Sequence, residues 1–357
     1  MHKIAGLGVI MLLLLSLTFT GCIENEEKDI ETVTVTDMAD RDVEIPKNVE
    51  SIVAVGSGCL RLIAYMEATN LLAGVEEYEI TGGSTGRPYA LADPQLSELP
   101  SIGPIHGGDM ELIVDREPDL IFRASSYDEA DDYQQQTGIP TIDLAIGDLG
   151  ENRDEFYGSL RLLGEILDKE DRADEIIDFI DSTIQDLRDR TYDISSEEKP
   201  EVYVGGVLHR GAHDLRSTYG NYAPFEFVGA DNVAGDLEID HAMVDEEQIL
   251  EWDPDIIFVD MGSYTRGTID LDNSNYEELK AFQNGDVYGV LPYNWHHINY
   301  CTVLASSFYV GSVIYPERFI DVDHEEKADE IYEMFVGEPV YECMERDLGG
   351  FTELDDR

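Results

Sequence analysis

A short internal repeat constrains the fold of this chain more than any other feature of its sequence. Residues 111–122 (ELIVDREPDLIF) align with residues 247–258 (EQILEWDPDIIF), and half of the aligned positions are identical. Each copy has the pattern of a short helix, a Pro-Asp turn and a buried strand. Because such a recurrence indicates a duplicated unit, the sequence predicts two α/β lobes.

Short apolar runs alternate with helical patterns on both sides of residues 151–190, which favours sheets whose strands are mainly parallel. The predicted strands are 51–55, 72–75, 119–122 and 140–144 before that segment, and 202–204, 256–259 and 287–290 after it. Within 151–190, apolar residues at helical spacing predict two helices that break near Asp168. Residues 302–315 and 325–336 are predicted to form closing helices.

These patterns predict an N-terminal lobe over 33–168, one long connecting helix over 169–192 and a C-terminal lobe over 193–357. The fold class is therefore α/β, with a ligand cleft between the two lobes. In open α/β sheets, ligands bind outside the carboxyl ends of the strands. The walls of the cleft are accordingly predicted to come from the residues that follow each strand.

The N-terminus has the organisation of an export signal. A short basic start precedes an uncharged apolar run over 4–19, and Thr20 and Gly21 then lead to Cys22. Small residues before a cysteine resemble a lipobox, which predicts a signal peptide over 1–22, lipidation of Cys22 and a polar tether over 23–32. The alternative is an uncleaved anchor helix. Both interpretations place the body outside the cytoplasmic membrane, anchored to its outer face.

The net charge excludes one class of partner. The chain carries 23 Lys and Arg against 77 Asp and Glu, a formal charge of −54, so it would repel the phosphate backbone of a nucleic acid. The acids are spread through periodic segments, which indicates a solvated acidic surface adapted to high salt rather than a disordered tail. Attraction of a cationic ligand is the alternative interpretation.

The residues that follow the predicted strands include arginines, histidines and aromatic side chains. Arginine pairs well with carboxylate or catecholate-like oxygens because its fork is planar and permanently charged, and aromatic rings can cover the faces of a large chelate. Ordinary surface ion pairs and core packing are the alternatives for the same residues. The candidates for the cleft are Ser57, Arg87, Tyr89, Arg123, His209, Arg210, Tyr293, Trp295 and His296.

Direct metal binding is not expected, because it requires several His and carboxylate ligands that converge. Adjacent histidines on a strand point in opposite directions, so only one of His296 and His297 is expected to face a given site. His296 and His209 are the candidates if a metal ion is contacted. No cofactor is expected; the bound ligand is expected to be a ferric chelate.

Three segments resemble the iron-chelate and cobalamin class of solute-binding proteins that serve ABC importers. They are residues 36–46 (TDMADRDVEIP) followed by SIV at 51–53, the two Glu-x-Ile…Pro-Asp-x-Ile repeats, and residues 315–319 (YPERF). The resemblance covers about residues 33–340. It implies two lobes joined by one long helix with little hinge movement, and an ABC permease with its ATPase as partner. It further implies that Glu111 and Glu247 dock onto arginines of the permease.

The sequence thus predicts a monomeric, lipid-anchored binding protein that delivers a siderophore-like iron(III) chelate to a permease. Binding of cobalamin or heme on the same scaffold is the alternative. A more distant alternative is a metallocluster enzyme of similar fold, which would need several cluster-ligating cysteines. Beyond Cys22 the chain has only Cys59, Cys301 and Cys343, far apart and with no predictable disulfide pairing, and it has no catalytic motif, so no enzymatic activity is expected.

Overall fold

Two parallel sheets, one in each half of the chain, organise the fold. The structure, a computed structural model, describes residues 31–124, 130–237 and 241–354. The predicted signal peptide, Cys22 and most of the predicted tether lie outside the described residues. Within these ranges no helix is long and apolar enough to cross a membrane.

The first half begins with an antiparallel hairpin and continues as alternating strands and helices. Its parallel sheet has the strand order β4-β3-β5-β6. The elements are β1 (Thr32–Thr36), β2 (Asp42–Pro46), β3 (Ile52–Val55), α1 (Cys59–Tyr65), β4 (Leu72–Gly74), α2 (Glu77–Thr81), α3 (Pro88–Ala92), α4 (Met110–Val114), β5 (Leu120–Ala124), α5 (Ala130–Thr137) and β6 (Thr141–Leu144).

Two consecutive helices connect the sheets: α6 (Arg153–Leu167) and α7 (Glu170–Thr191). The chain breaks between them at Asp168, which adopts a left-handed conformation with φ 54°. Helix α7 buries a stripe of apolar residues at helical spacing, including Ile176, Ile180 and Leu187. At 22 residues it is about 33 Å long, since an α-helix rises about 1.5 Å per residue.

The second half repeats the arrangement of the first. Its sheet has the order β13-β12-β11-β7-β9, parallel except for the edge strand β13. The elements are β7 (Glu201–Gly205), β8 (Ser217–Tyr219), α8 (Ala223–Phe227), β9 (Asp231–Asn232), β10 (His241–Met243), α9 (Glu246–Trp252), β11 (Ile256–Asp260), α10 (Met261–Tyr264), α11 (Lys280–Asn284), β12 (Val287–Val290), α12 (Tyr300–Ile314), α13 (His324–Val336), α14 (Tyr341–Leu348) and β13 (Thr352–Glu353).

The sequence repeat is also a structural repeat. Its first copy forms α4 and β5, and its second copy forms α9 and β11. The backbone N–H of Asp119 donates to the carbonyl of Ser51 at 2.8 Å, and that of Asp255 donates to Glu201 at the same distance. Each aspartate side chain in return accepts from the backbone N–H of that partner. The repeated Pro-Asp turn therefore joins the central strand of each lobe to its neighbour.

The C-terminal helices pack against the first half of the chain as well as the second. The ring of Tyr300 on α12 stacks on Phe156 of α6 with centroids 3.9 Å apart, and its hydroxyl donates to the carbonyl of Ile146. Tyr65 on α1 packs edge-on against Phe335 of α13 at 4.8 Å. A continuous apolar core consequently extends through both halves.

Candidate functional site

Both sheets reverse their strand order at the same place. The chain moves from the first strand of each sheet to one side and then to the other, so the carboxyl ends of β3 and β5, and of β7 and β11, form topological switch points. A small pocket lies at the end of β3 and is lined by Ala54, Gly56, Gly58, Leu60, Glu76, Glu79, Tyr89 and His296. Since His296 comes from the second lobe, the pocket lies between the lobes.

A buried ion pair forms one wall of this pocket. The guanidinium of Arg87 is fully buried and pairs with the carboxylate of Glu79. The hydroxyl of Tyr89 donates to the same carboxylate at 2.9 Å, and the guanidinium lies over the ring of Tyr78 at 4.6 Å from its centroid. Burial raises the pKa of Tyr89, so its hydroxyl keeps its proton and remains a donor. The predicted cleft residues Arg87 and Tyr89 thus lie together beneath the pocket surface.

Two histidines face each other across the cleft. The imidazole of His106, from the first lobe, stacks on that of His296, from the second, with centroids 5.3 Å apart. Ser57 Oγ lies 2.6 Å from His106 Nδ1, and the ring of Tyr78 contacts His296 at 4.0 Å. Loss of solvent, reinforced by the charges of His106 and Arg87, lowers the pKa of His296 to about 3. His296 is therefore neutral at pH 7, with a free lone pair for a ligand.

Glu76 fixes the segment that carries His106. Its carboxylate accepts from the backbone N–H of Gly56 at 3.1 Å and from that of Gly107 at 3.0 Å. Desolvation raises the pKa of Glu76, and these hydrogen bonds oppose that rise. The end of β3 and the loop around His106 are thereby held together.

The second lobe contains a further histidine group at the carboxyl ends of β7 and β11. The ring of His209 stacks on His241 at 4.0 Å, and His213 lies 5.9 Å from His241. His241 Nε2 lies 2.8 Å from Ser217 Oγ. Desolvation, followed by the effect of His209, lowers the pKa of His241 to about 4. Even so, no three His, Cys, Asp or Glu side chains in the described ranges are arranged to hold a metal ion.

Tyr293 and Trp295 lie on the loop after β12 and are buried. The ring of Tyr293 contacts the rings of Tyr219 and Tyr222 at 5.3 and 5.1 Å. The guanidinium of Arg266 lies 4.0 Å from the centroid of Trp295.

Gly86 of the first lobe lies against the indole of Trp295, and its backbone has φ +72°. A Cβ at Gly86 would lie 2.2 Å from the indole, so this position requires glycine. Trp295 therefore contacts both lobes.

The other two predicted arginines lie apart from this group. Arg123 is buried at the end of β5, 3.6 Å from Asp143 and over the ring of Tyr133. Arg210 is exposed in the loop after β7. The structure thus brings Ser57, Arg87, Tyr89 and His296 together and leaves Arg123 in the interior of the first lobe.

Four residues around the cleft have left-handed backbones that side chains rarely adopt: His106 (φ 70°), Arg210 (φ 54°), His296 (φ 58°) and His297 (φ 94°). Such conformations concentrate at functional sites. They also correct one expectation, because His296 and His297 lie in a loop and not on a strand. The rule that neighbouring strand residues point in opposite directions does not apply to them.

Glu111 and Glu247 occupy equivalent positions in the two lobes. Both are exposed, in the first turns of α4 and α9. Cys59, Cys301 and Cys343 are free thiols, so none of these three forms a disulfide with another.

The duplicated lobes, the connecting helix and the side chains gathered at the switch points are the architecture of a two-lobed binding protein. A family model for periplasmic binding proteins matches residues 65–293, more than half of the chain, and the chain belongs to this family. It is a solute-binding protein of an ABC transporter, from an extracytoplasmic family, and the relatives that it resembles are substrate-binding proteins of transporters.

Two relatives show the range of the family. The molybdate-binding protein MolA of Haemophilus influenzae is 23% identical over 325 residues, which cover 84% of this chain and 90% of MolA. The petrobactin-binding protein YclQ of Bacillus subtilis is 23% identical over 275 residues, covering 74% of this chain and 82% of YclQ. The structure of MolA bound to molybdate superposes with a TM-score of 0.68 at 20% identity, covering 86% of this chain and 98% of MolA.

Proposed function

We propose that this protein captures a ferric chelate of the siderophore type and delivers it to the permease of an ABC importer. The observation that carries the proposal is the concentration of imidazole groups at the cleft of a chain with net charge −54. Of the eight histidines, six lie at the cleft: His106, His209, His213, His241, His296 and His297.

Neutral imidazoles suit a ligand that carries a metal ion and oxygen acceptors. The low pKa values of His241 and His296 leave each ring with one N–H donor and one lone pair at pH 7. A neutral ring can donate to a chelate oxygen or offer its lone pair to iron without competition from a proton. Tyr78 and Tyr219, which contact these two imidazoles, supply apolar faces for an aromatic chelator.

The name of the relative YclQ, a petrobactin-binding protein, supports a siderophore as the ligand. The second candidate is a small oxyanion. It is favoured by the narrow pocket beside His296 and by the relative MolA, named as a molybdate-binding protein.

Delivery requires docking to the permease, and we assign this role to Glu111 and Glu247. Their exposure and their equivalent positions on the two lobes support a paired contact with basic residues of the partner. Opposite charges of this kind orient an encounter and speed it. Attachment to the membrane through a lipid on Cys22 belongs to the same proposal.

A fluorescence titration tests the ligand. Trp295 contacts Gly86 of one lobe and Arg266 of the other, so its emission should change when a ligand enters between the lobes. Trp252 on α9 is the second tryptophan, and a Trp252→Phe variant isolates the signal of Trp295. The protein is titrated at high salt with a ferric catecholate siderophore, molybdate, cobalamin and hemin in parallel.

Saturable binding of the ferric siderophore, with weaker binding of the other three ligands, supports the proposal. Binding of molybdate alone would replace it with the oxyanion alternative. Binding of cobalamin or hemin alone would assign the site to a tetrapyrrole. Iron-free siderophore is the matched control, because it separates recognition of the metal from recognition of the chelator.

A further inference from the structure

The surface around Glu111 and Glu247 carries exposed apolar side chains. Within the described part of the chain, six large hydrophobic residues are exposed: Val33, Leu112, Val114, Tyr192, Met243 and Ile320. Two of them, Leu112 and Val114, share the short helix α4 with Glu111. Met243 ends β10, four residues before Glu247, and therefore lies within about 14 Å of it.

Apolar side chains of this kind are costly on a protein surface exposed to water. Leu112 is 37% exposed, Val114 42% and Met243 50%. Exposed apolar groups that gather in one region, rimmed by charge, mark sites of interaction with another protein. Leu112 and Val114 lie on the helix of Glu111 in the first lobe, and Met243 lies near Glu247 in the second, so a partner that contacts both glutamates would also meet these side chains.

We propose that Leu112, Val114 and Met243 form an apolar contact with the permease that holds the docked complex together when salt screens the glutamates. The inference rests on the proposed docking role of Glu111 and Glu247 and adds a second, salt-resistant component to it. The permease surface should carry apolar residues next to the basic residues that meet the glutamates.

The physical reason is the different salt dependence of the two interactions. At 1 M salt the Debye length is about 3 Å, so exposed ion pairs contribute little beyond direct contact. Burial of apolar surface does not depend on that screening, and it supplies affinity where the charges supply orientation.

The test measures docking without any ligand. The cognate permease–ATPase complex is held in nanodiscs, and its affinity for the binding protein is measured at 0.15 and 2 M KCl. The test variant combines Leu112→Ser with Met243→Ser. The control combines Tyr192→Ser with Ile320→Ser, which removes two exposed apolar side chains outside the proposed contact.

The test variant should bind the permease about tenfold more weakly than the wild type at 2 M KCl, because two exposed apolar side chains that become buried in an interface contribute at least this much. The control should match the wild type. A conservative variant, Leu112→Met with Met243→Leu, should keep the affinity. Unchanged thermal unfolding shows that the variants are folded.

Wild-type affinity of the serine variant at 2 M KCl would overturn the inference. A Glu111→Gln, Glu247→Gln variant separates this failure from that of the proposed function. If the glutamine variant loses affinity at 0.15 M KCl and the serine variant does not at either salt concentration, the glutamates dock alone. If neither variant changes the affinity at either salt concentration, this face is not the docking surface and both proposals fail.

Discussion

Arg61 and Asn299 join the two lobes through a buried hydrogen bond of 2.8 Å from Nη2 to Oδ1. The guanidinium also donates to the carbonyls of Trp295 and Ile298, each at 2.7 Å. Asn299 Nδ2 in turn donates to the carbonyl of Gly86, in the first lobe, at 3.1 Å. The loop that carries the cleft residues of the second lobe is therefore fixed to helix α1 of the first.

Replacing Arg61 with methionine should lower the free energy of unfolding by about 3–5 kcal/mol, because three buried acceptors would lose their charged donor. Denaturant unfolding measures the change. The matched control is Arg346→Met, since the Arg346 side chain is 64% exposed. A loss below 1 kcal/mol, the range typical of surface ion pairs, would show that the link is dispensable.

Asp260 should make stability depend on pH near neutrality. It is buried at the end of β11, accepts from the backbone N–H of Gly262 and Tyr293, and desolvation raises its pKa from 3.8 to about 7. The folded protein keeps this proton to higher pH than the unfolded chain does. The stabilisation is therefore complete below pH 3.8 and is lost as the pH rises through 7.

An Asp260→Asn variant should lack that part of the pH dependence, which reaches about 1.4 kcal/mol per pH unit for one proton. Denaturant unfolding at pH 5, 6, 7 and 8 compares the variant with the wild type and with Asp115→Asn, an exposed control. Parallel pH profiles for the wild type and Asp260→Asn would contradict the prediction.

Removing the paired imidazoles of the cleft should weaken ligand binding. A His106→Ala, His296→Ala variant should bind the ferric siderophore at least tenfold more weakly, which corresponds to about 1.4 kcal/mol. Isothermal titration calorimetry measures the affinity. His324→Ala serves as control, because His324 packs on Tyr309 at the start of α13. Equal affinities would place the ligand elsewhere.

Neutralising Glu111 and Glu247 should reduce transport and leave ligand binding intact. A Glu111→Gln, Glu247→Gln variant should reduce uptake of the radiolabelled ferric siderophore by cells at least tenfold while its affinity for the ligand stays unchanged. Glu151→Gln with Glu277→Gln neutralises two other exposed acids and is the matched control. Wild-type uptake by the first variant would exclude the role.

Lipid attachment is tested by Cys22→Ser. We expect the wild type to remain with the membrane fraction and the variant to be released, because acyl chains hold a protein by burying their methylenes. Mass spectrometry of the wild type should show a lipid-modified N-terminus at Cys22. An unmodified protein that still sediments with membranes would favour the uncleaved anchor helix.

The sequence was sufficient for the parts of the fold that have a periodic signal. The predicted strand 287–290 is β12, and the break at Asp168 separates α6 from α7. The repeat predicted equivalent positions for Glu111 and Glu247 because helix, turn and strand are local patterns. The N-terminal pattern predicted an extracytoplasmic location in the same way.

The hairpin of β8 and β10 and the packing of α12 and α13 on the first half had no such signal. Strands of three residues are too short to establish a period, and they form because a partner strand satisfies their backbone. His213 and His241 were missed for that reason, since they lie in or beside this hairpin. Their only sequence signal was the scarcity of histidine elsewhere.

The sequence by itself determined the two-lobed architecture, the family and the strongly negative net charge, because each follows from the residues along the chain. Tertiary structure alone decided that Arg87 pairs with Glu79 beneath the pocket, that His106 meets His296 and that Arg61 joins the lobes. The last two contacts link residues far apart in sequence. All three depend on burial and on distances of a few ångströms, which no local pattern specifies.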